Sequence, residues 1–237
     1  MIKPGRALRE AVRKLLSGVA RYRVLVIGDS HARIYLHWRF LLTLPRVNFR
    51  VCAVGGATAS GLENPHSKTQ AYSRFEAALN TGGYDRVLVQ LGEVDTGFVV
   101  WYRASKYQAS VDEMLEQALS TYCRFLEGIG HPAQLLVVSA PLPTIADGTA
   151  WGEVADQRKE VTASQKQRTE LTLRFNSAVE VFCRNHGIDY LNLDAESLGS
   201  DGIVRRDLLH SNPRDHHYSP HRYISMLSQH LAERFPN

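Results

Sequence analysis

A serine hydroxyl at neutral pH is a poor nucleophile, and it becomes a useful one only with a base in hydrogen-bond reach and a carboxylate to steady that base. The chain offers all three types of group in suggestive places. Ser30 stands in Gly28-Asp29-Ser30-His31, directly behind the apolar run Val24-Leu25-Val26-Ile27. Of the ten histidines, His210, His216, His217 and His221 gather near the C-terminus, with Asp207 and Asp215 among them. Histidine has the pKa that proton shuttling near neutrality requires. His217 is the preferred base because it leads into the final apolar-periodic segment, and Asp215 is the carboxylate beside it.

These groups lie far apart in sequence, so the fold must bring them together. The run 24–27 reads as a buried strand, and so do Phe49 to Val54, Arg86 to Leu91, Gln134 to Ser139 and Ile188 to Leu193. Helical patterns fall between them: Arg33 to Leu44, Thr69 to Leu79, Ser105 to Glu127 and Val161 to Asn185, with a last helix from Tyr218 to Phe235. Strands alternating with helices predict right-handed crossovers and a parallel sheet. The predicted fold is α/β, a three-layer sandwich of five parallel strands with helices on both faces. In such a sheet the C-terminal ends of the strands share one edge. Ser30, the Gly55-Gly56-Ala57-Thr58 turn and the Gly92-Glu93-Val94-Asp95 turn are therefore expected to converge.

At 237 residues and 44% hydrophobic content the chain supports one sizeable core. The net charge of +4 is modest, and much of the excess sits before residue 24. There Leu8, Val12, Leu15, Leu16 and Val19 repeat at helical spacing, with Arg6, Arg9 and Arg13 on another face. Residues 1–22 read as a basic amphipathic helix appended to a domain of residues 23–237. A solvated charged face is the favoured reading of that helix, and contact with a membrane surface is the alternative. Charge confined to one segment, without interleaved aromatics, argues against a nucleic-acid partner. No run is long enough to span a bilayer, and no secretory leader is evident. Cys52, Cys123 and Cys183 lie far apart within apolar patterns and read as buried thiols. A cytoplasmic location is the simplest expectation.

The four features fall in the order of the four blocks of the SGNH hydrolase superfamily, the GDSL-type esterases and acyltransferases, which the chain resembles from about Arg23 to its C-terminus. The resemblance implies a flavodoxin-like sheet and an acyl-enzyme formed on Ser30, with His217 as base and Asp215 orienting it. It also implies an oxyanion hole from the backbone N–H groups of Ser30 and Gly56. Two departures stand out. The third block carries an oxyanion-binding asparagine in the family, where this chain has Val94; and the family's acid lies three residues before the histidine, a place held here by Arg214. Asp207 and His210 keep the three-residue spacing and form the alternative pair.

The resemblance implies an esterase acting on a small-molecule or carbohydrate ester, an O-acetyl ester foremost, without a cofactor. An O-acyltransferase with the same nucleophile and a non-hydrolytic binding module are the alternatives, the latter motivated by Val94. Asp29, His31, Glu93 and Asp95 are candidates to line the substrate pocket. For His31 the competing role is to start the following helix, and for Glu93 and Asp95 it is to hold neighbouring loops by accepting backbone N–H bonds. No metal is predicted: His217 and His221 have ligand-like spacing and His216 adds a possible ligand, but no third ligand stands on a supporting element.

Overall fold

The computed structural model describes residues 20–64, 66–131, 134–148, 162–213 and 215–236. Most of the predicted N-terminal helix, the start of the predicted helix at Val161 and Arg214 lie outside them. Five strands, β1 (Tyr22–Gly28), β2 (Val47–Ala53), β3 (Arg86–Gln90), β4 (Leu135–Val138) and β5 (Asp189–Leu191), form one sheet in the order β2-β1-β3-β4-β5. Every pairing is parallel. The five-stranded parallel α/β architecture is the predicted one.

Because strand side chains alternate between faces, the apolar runs feed two cores. Leu25, Ile27, Val87, Val89, Leu135 and Val137 face one side, packed with Phe75, Tyr122, Leu126 and Phe175. Those come from α1 (Ala71–Asn80), α3 (Val111–Ile129) and α4 (Gln165–Asn185). Val24, Val26, Leu88, Leu136 and Val138 face the other side and meet Tyr35, Phe40, Ile224, Leu227 and Leu231. The last three belong to α5 (Pro220–Arg234), which starts with proline at its first turn, where no N–H is needed. Full burial of each such Leu or Ile stabilises by about 1.5–3 kcal/mol, so the two layers clamp the sheet from both sides.

Two helix predictions require correction. The segment after β1 is a 3₁₀ helix, Ser30–Leu36, followed by a short α-turn, Phe40–Thr43, rather than one helix to Leu44. The pattern 105–127 is split: α2 (Val100–Tyr107) ends at Gln108 with φ of 51°, and α3 restarts at Ser110. The Ser110 hydroxyl accepts from the Glu113 N–H while Glu113 reaches back to Ser110, a reciprocal cap that makes a fresh start more stable than a continuous helix.

The strand order reverses direction beside β1, since β2 lies on one side of it and β3 on the other. That is where an open parallel sheet leaves a crevice at its carboxyl edge. Ser30 emerges there.

Candidate active site

Ser30 is delivered to the crevice by close backbone contact. A Cβ on Gly28 would lie 2.3 Å from the Gln90 carbonyl oxygen, so only glycine lets the end of β1 sit this tightly against β3. Asp29 caps the 3₁₀ helix that follows. Its Oδ1 accepts from the His31 N–H at 2.8 Å and from His31 Nδ1 at 3.0 Å.

The C-terminal loop repeats this geometry. Asp215 Oδ1 accepts from the His217 N–H at 3.0 Å and from His217 Nδ1 at 2.6 Å. The loop itself is fixed on both flanks: the Ser219 N–H donates to the Leu208 carbonyl at 2.7 Å, and the Leu142 N–H donates to the Tyr218 hydroxyl at 2.7 Å. With Nδ1–H committed to Asp215, the His217 Nε2 is the acceptor, and it lies 3.0 Å from Ser30 Oγ. Ser30, His217 and Asp215 thus form a continuous chain, across 187 residues from serine to histidine.

A second imidazole also reaches the serine, His216 Nε2 at 3.3 Å. One hydroxyl has one proton to give. It goes to His217, because the Asp215 carboxylate stabilises the imidazolium formed there. His216 was not among the predicted site residues; its signal in the sequence was the second histidine of Asp215-His216-His217.

The charges around His217 are unequal. Burial pushes the His217 pKa down, and the positive charge of His31 adds to that; Asp215 and Asp29 pull the other way without cancelling it. His31 itself is raised to about 9: burial opposes the charge, but the Asp29 carboxylate, with Glu93 further off, outweighs burial. Its second nitrogen, Nε2, lies 3.4 Å from the His216 carbonyl oxygen, in donating range. For Asp215 burial works upward, but the His217 N–H and imidazole, followed by the charges of His217 and His210, hold its carboxyl below the usual range.

The alternative pair does not assemble. Asp207 is bound by Arg205 at 2.8 Å and faces Arg222 at 3.5 Å, while His210 Nδ1 accepts from the Asn212 N–H and lies 3.6 Å from the far oxygen of Asp215. Of the two roles read for Asp95, the geometry fits the loop-holding one. It is fully buried, with Oδ2 accepting from the Ala59 N–H at 2.7 Å and Oδ1 from the Ser60 N–H at 3.0 Å, so it ties the third-block turn to the loop after Gly56 instead of lining a pocket. Burial raises its pKa against the pull of those bonds. Asp29 and Glu93 are likewise buried, at 1% and 5% exposure, and act on the site through charge. Gly56 occupies a turn closed by the Ala57 N–H to the Val54 carbonyl, with φ of 71°, a left-handed conformation suited to glycine. Val94 precedes the π-helical turn Asp95–Val99 and is half-buried.

No protein-family model and no curated protein matches the sequence. Solved structures match its fold. A candidate platelet activating factor from Streptococcus pneumonia superposes with a TM-score of 0.61 at 15% identity, over 97% of this chain and 91% of its own. A candidate acylhydrolase from Bacteroides fragilis gives 0.57 at 11% identity, covering 98% of each chain. A GDSL-like lipase from Bacteroides thetaiotaomicron gives 0.55 at 14% identity, covering 97% of each. The chain shares its fold with the acylhydrolase and the GDSL-like lipase. At such low identity the shared property is the fold, and in an open parallel sheet the crevice at the carboxyl edge, where Ser30 emerges, is where ligands bind. Among the described residues no helix is long and apolar enough to cross a membrane.

Proposed function

We propose that the protein hydrolyses carboxylic esters through an acyl-enzyme on Ser30. The observation that carries this reading is the relay Ser30 Oγ to His217 Nε2 at 3.0 Å and His217 Nδ1 to Asp215 Oδ1 at 2.6 Å. His217 takes the hydroxyl proton as Ser30 Oγ attacks the ester carbonyl. The carbonyl oxygen becomes an oxyanion, received by the N–H groups of Ser30 and Gly56. Collapse of the tetrahedral species breaks the bond to the alcohol, which leaves with the proton from His217. Water then repeats the sequence on the acyl-enzyme, releasing the acid and restoring Ser30.

The lowered pKa of His217 supports this role, because a base must be unprotonated at working pH. The substrate class we favour is a small acyl ester, carbohydrate O-acetyl esters foremost, since no long apolar lid for a lipid chain is evident in the sequence. Transfer to a sugar hydroxyl instead of water uses the same intermediate. The test is a fluorophosphonate probe on the intact folded protein, paired with release of acetate from an acetylated sugar and from p-nitrophenyl acetate. Labelling and turnover, both lost in Ser30→Ala, are expected. A folded protein that takes no label, or a Ser30→Ala variant that labels unchanged, overturns the proposal in favour of a non-hydrolytic module.

A further inference from the structure

One ring nitrogen from each of His31, His216 and His217 lies within 4.8 Å of the other two, and those of His216 and His217 lie 3.3 and 3.0 Å from Ser30 Oγ. We propose that these imidazoles form a binding site for one divalent transition-metal ion of the zinc class, held by their Nε2 atoms, and that the bound ion silences Ser30. The silencing rests on the hydrolase reading above; the binding does not.

Three observations converge. The first is the convergence of the ring nitrogens themselves. His217 Nε2 and His216 Nε2 already point at Ser30 Oγ, at 3.0 and 3.3 Å. With metal–nitrogen bonds of about 2.0–2.1 Å, a tetrahedral ion needs its ligand nitrogens roughly 3.3–3.4 Å apart, so the rings close in by about 1.5 Å at most. His216 and His217 stand on an exposed-side loop at intermediate burial, where such a shift is feasible.

The second is the support behind the ligands. Metal-bound histidines characteristically donate their other ring N–H to a carboxylate, which fixes the tautomer and makes the free nitrogen a better donor. Two of the three are already arranged so: His217 Nδ1 on Asp215 at 2.6 Å and His31 Nδ1 on Asp29 at 3.0 Å. Each carboxylate leaves Nε2 as the nitrogen facing the cluster.

The third is an idle carboxylate oxygen. Asp29 is 1% exposed, and its Oδ2 has no hydrogen-bond partner among the described residues. A buried carboxylate with an idle oxygen is costly, and a dication one imidazole away offsets that cost. On binding, the ion replaces the proton at His31 Nε2, the contact with the His216 carbonyl is given up, and the lone pair of His217 Nε2 that would accept the serine proton is occupied. Ser30 then has no base.

The experiment uses the full chain without an affinity tag, stripped with EDTA. Calorimetric titration with zinc is expected to give one ion per chain, and the copper(II) form is expected to show three nitrogen ligands by electron paramagnetic resonance. Loss of a direct ligand should weaken zinc binding by at least the roughly 10–100-fold that loss of an outer partner costs. That applies to His216→Ala, whose side chain is partly exposed, and to His31→Gln, each checked for folding by circular dichroism. Fluorophosphonate labelling of Ser30 should stop when zinc is bound and return on adding EDTA. Equal affinity in the wild type and both variants, or a copper spectrum with fewer than three nitrogens, overturns the site. Labelling that proceeds unchanged on the zinc-bound protein overturns the silencing. Absence of labelling in metal-free protein refutes the hydrolase reading and the silencing with it, while the site stands or falls on the titration and the spectrum.

Discussion

His31 Nε2 lies 3.4 Å from the carbonyl oxygen of His216, so the residue after the serine holds the residue before the base. The tie joins the 3₁₀ helix behind β1 to the C-terminal loop, beside the contacts of His216 and His217 with Ser30. It also brings a positive charge beside His217, with the two rings 4.7 Å apart. The same side chain therefore sets both the position and the basicity of the base.

The acid limb of kcat/KM should reflect this arrangement. Because burial and the His31 charge lower the His217 pKa, ester hydrolysis should persist below pH 6.5, the ordinary histidine value. Replacing His31 by Gln removes the charge and keeps a hydrogen-bonding side chain. The limb should then move to higher pH, and a profile that stays in place shows that the His31 charge does not reach His217.

Stability should carry a separate signature of His31. Its folded pKa, raised to about 9 from 6.5, means the folded state holds a proton that the unfolded state releases. The stabilisation is complete below pH 6.5 and is lost as pH rises through about 9. It is on the order of 3 kcal/mol, from about 1.4 kcal/mol per unit. Urea titrations between pH 6.5 and 9 should show the wild type weakening with pH more steeply than His31→Gln.

The acid residue can be assigned by substitution. Asp215→Asn keeps the shape but removes the charge that stabilises imidazolium, and kcat should fall by on the order of 10³–10⁴. Asp207→Asn, which only releases Arg205 and Arg222, should change kcat by less than about threefold. A reversal of these effects would return the acid role to Asp207.

The sequence carried more of the sheet than of the site. Short, continuous, β-branched apolar runs such as Val24 to Ile27, bounded by turn residues, read as strands buried on both faces, and Gly28-Asp29-Ser30 marks the serine by its position behind one of them. The break at Gln108 was harder to see, because apolar spacing continues across it; the Ser110 and Glu113 pair was the readable sign. Asp215 was ambiguous because two-residue spacing looks too short for an acid and its histidine. The structure shows why it works: one carboxylate oxygen accepts both the backbone and the ring N–H of His217, closing a tight turn. Asp29 does the same for His31. The repeated Asp-x-His pattern was present in the sequence, but its meaning depends on two loops meeting at the sheet edge.

Gly28 supplies a prediction about folding and activity together. A methyl group there would meet the Gln90 carbonyl oxygen at 2.3 Å, and a backbone oxygen in a central strand cannot move aside. Gly28→Ala should cost roughly 1–3 kcal/mol or more, the range for forcing atoms into a packed core. The strain is relieved most easily by pushing β1 from β3, which displaces Ser30. Thermal melting and fluorophosphonate labelling should fall together, and a variant of unchanged melting temperature would show that the sheet yields without strain.

Val94 tests the oxyanion hole directly. An asparagine in the corresponding block of SGNH enzymes donates to the oxyanion, and loss of one such donor costs about 10²–10³ in kcat. Val94 is half-buried on the turn that Asp95 anchors to Ala59 and Ser60, so an amide at this position has a fixed backbone behind it. Valine and asparagine are close in size, and the substitution needs little room. If Ser30 and Gly56 are the whole hole, Val94→Asn should raise kcat on p-nitrophenyl acetate by at least about tenfold, a fraction of the full donor effect, with KM little changed. An unchanged kcat would mean that another group already fills the third place.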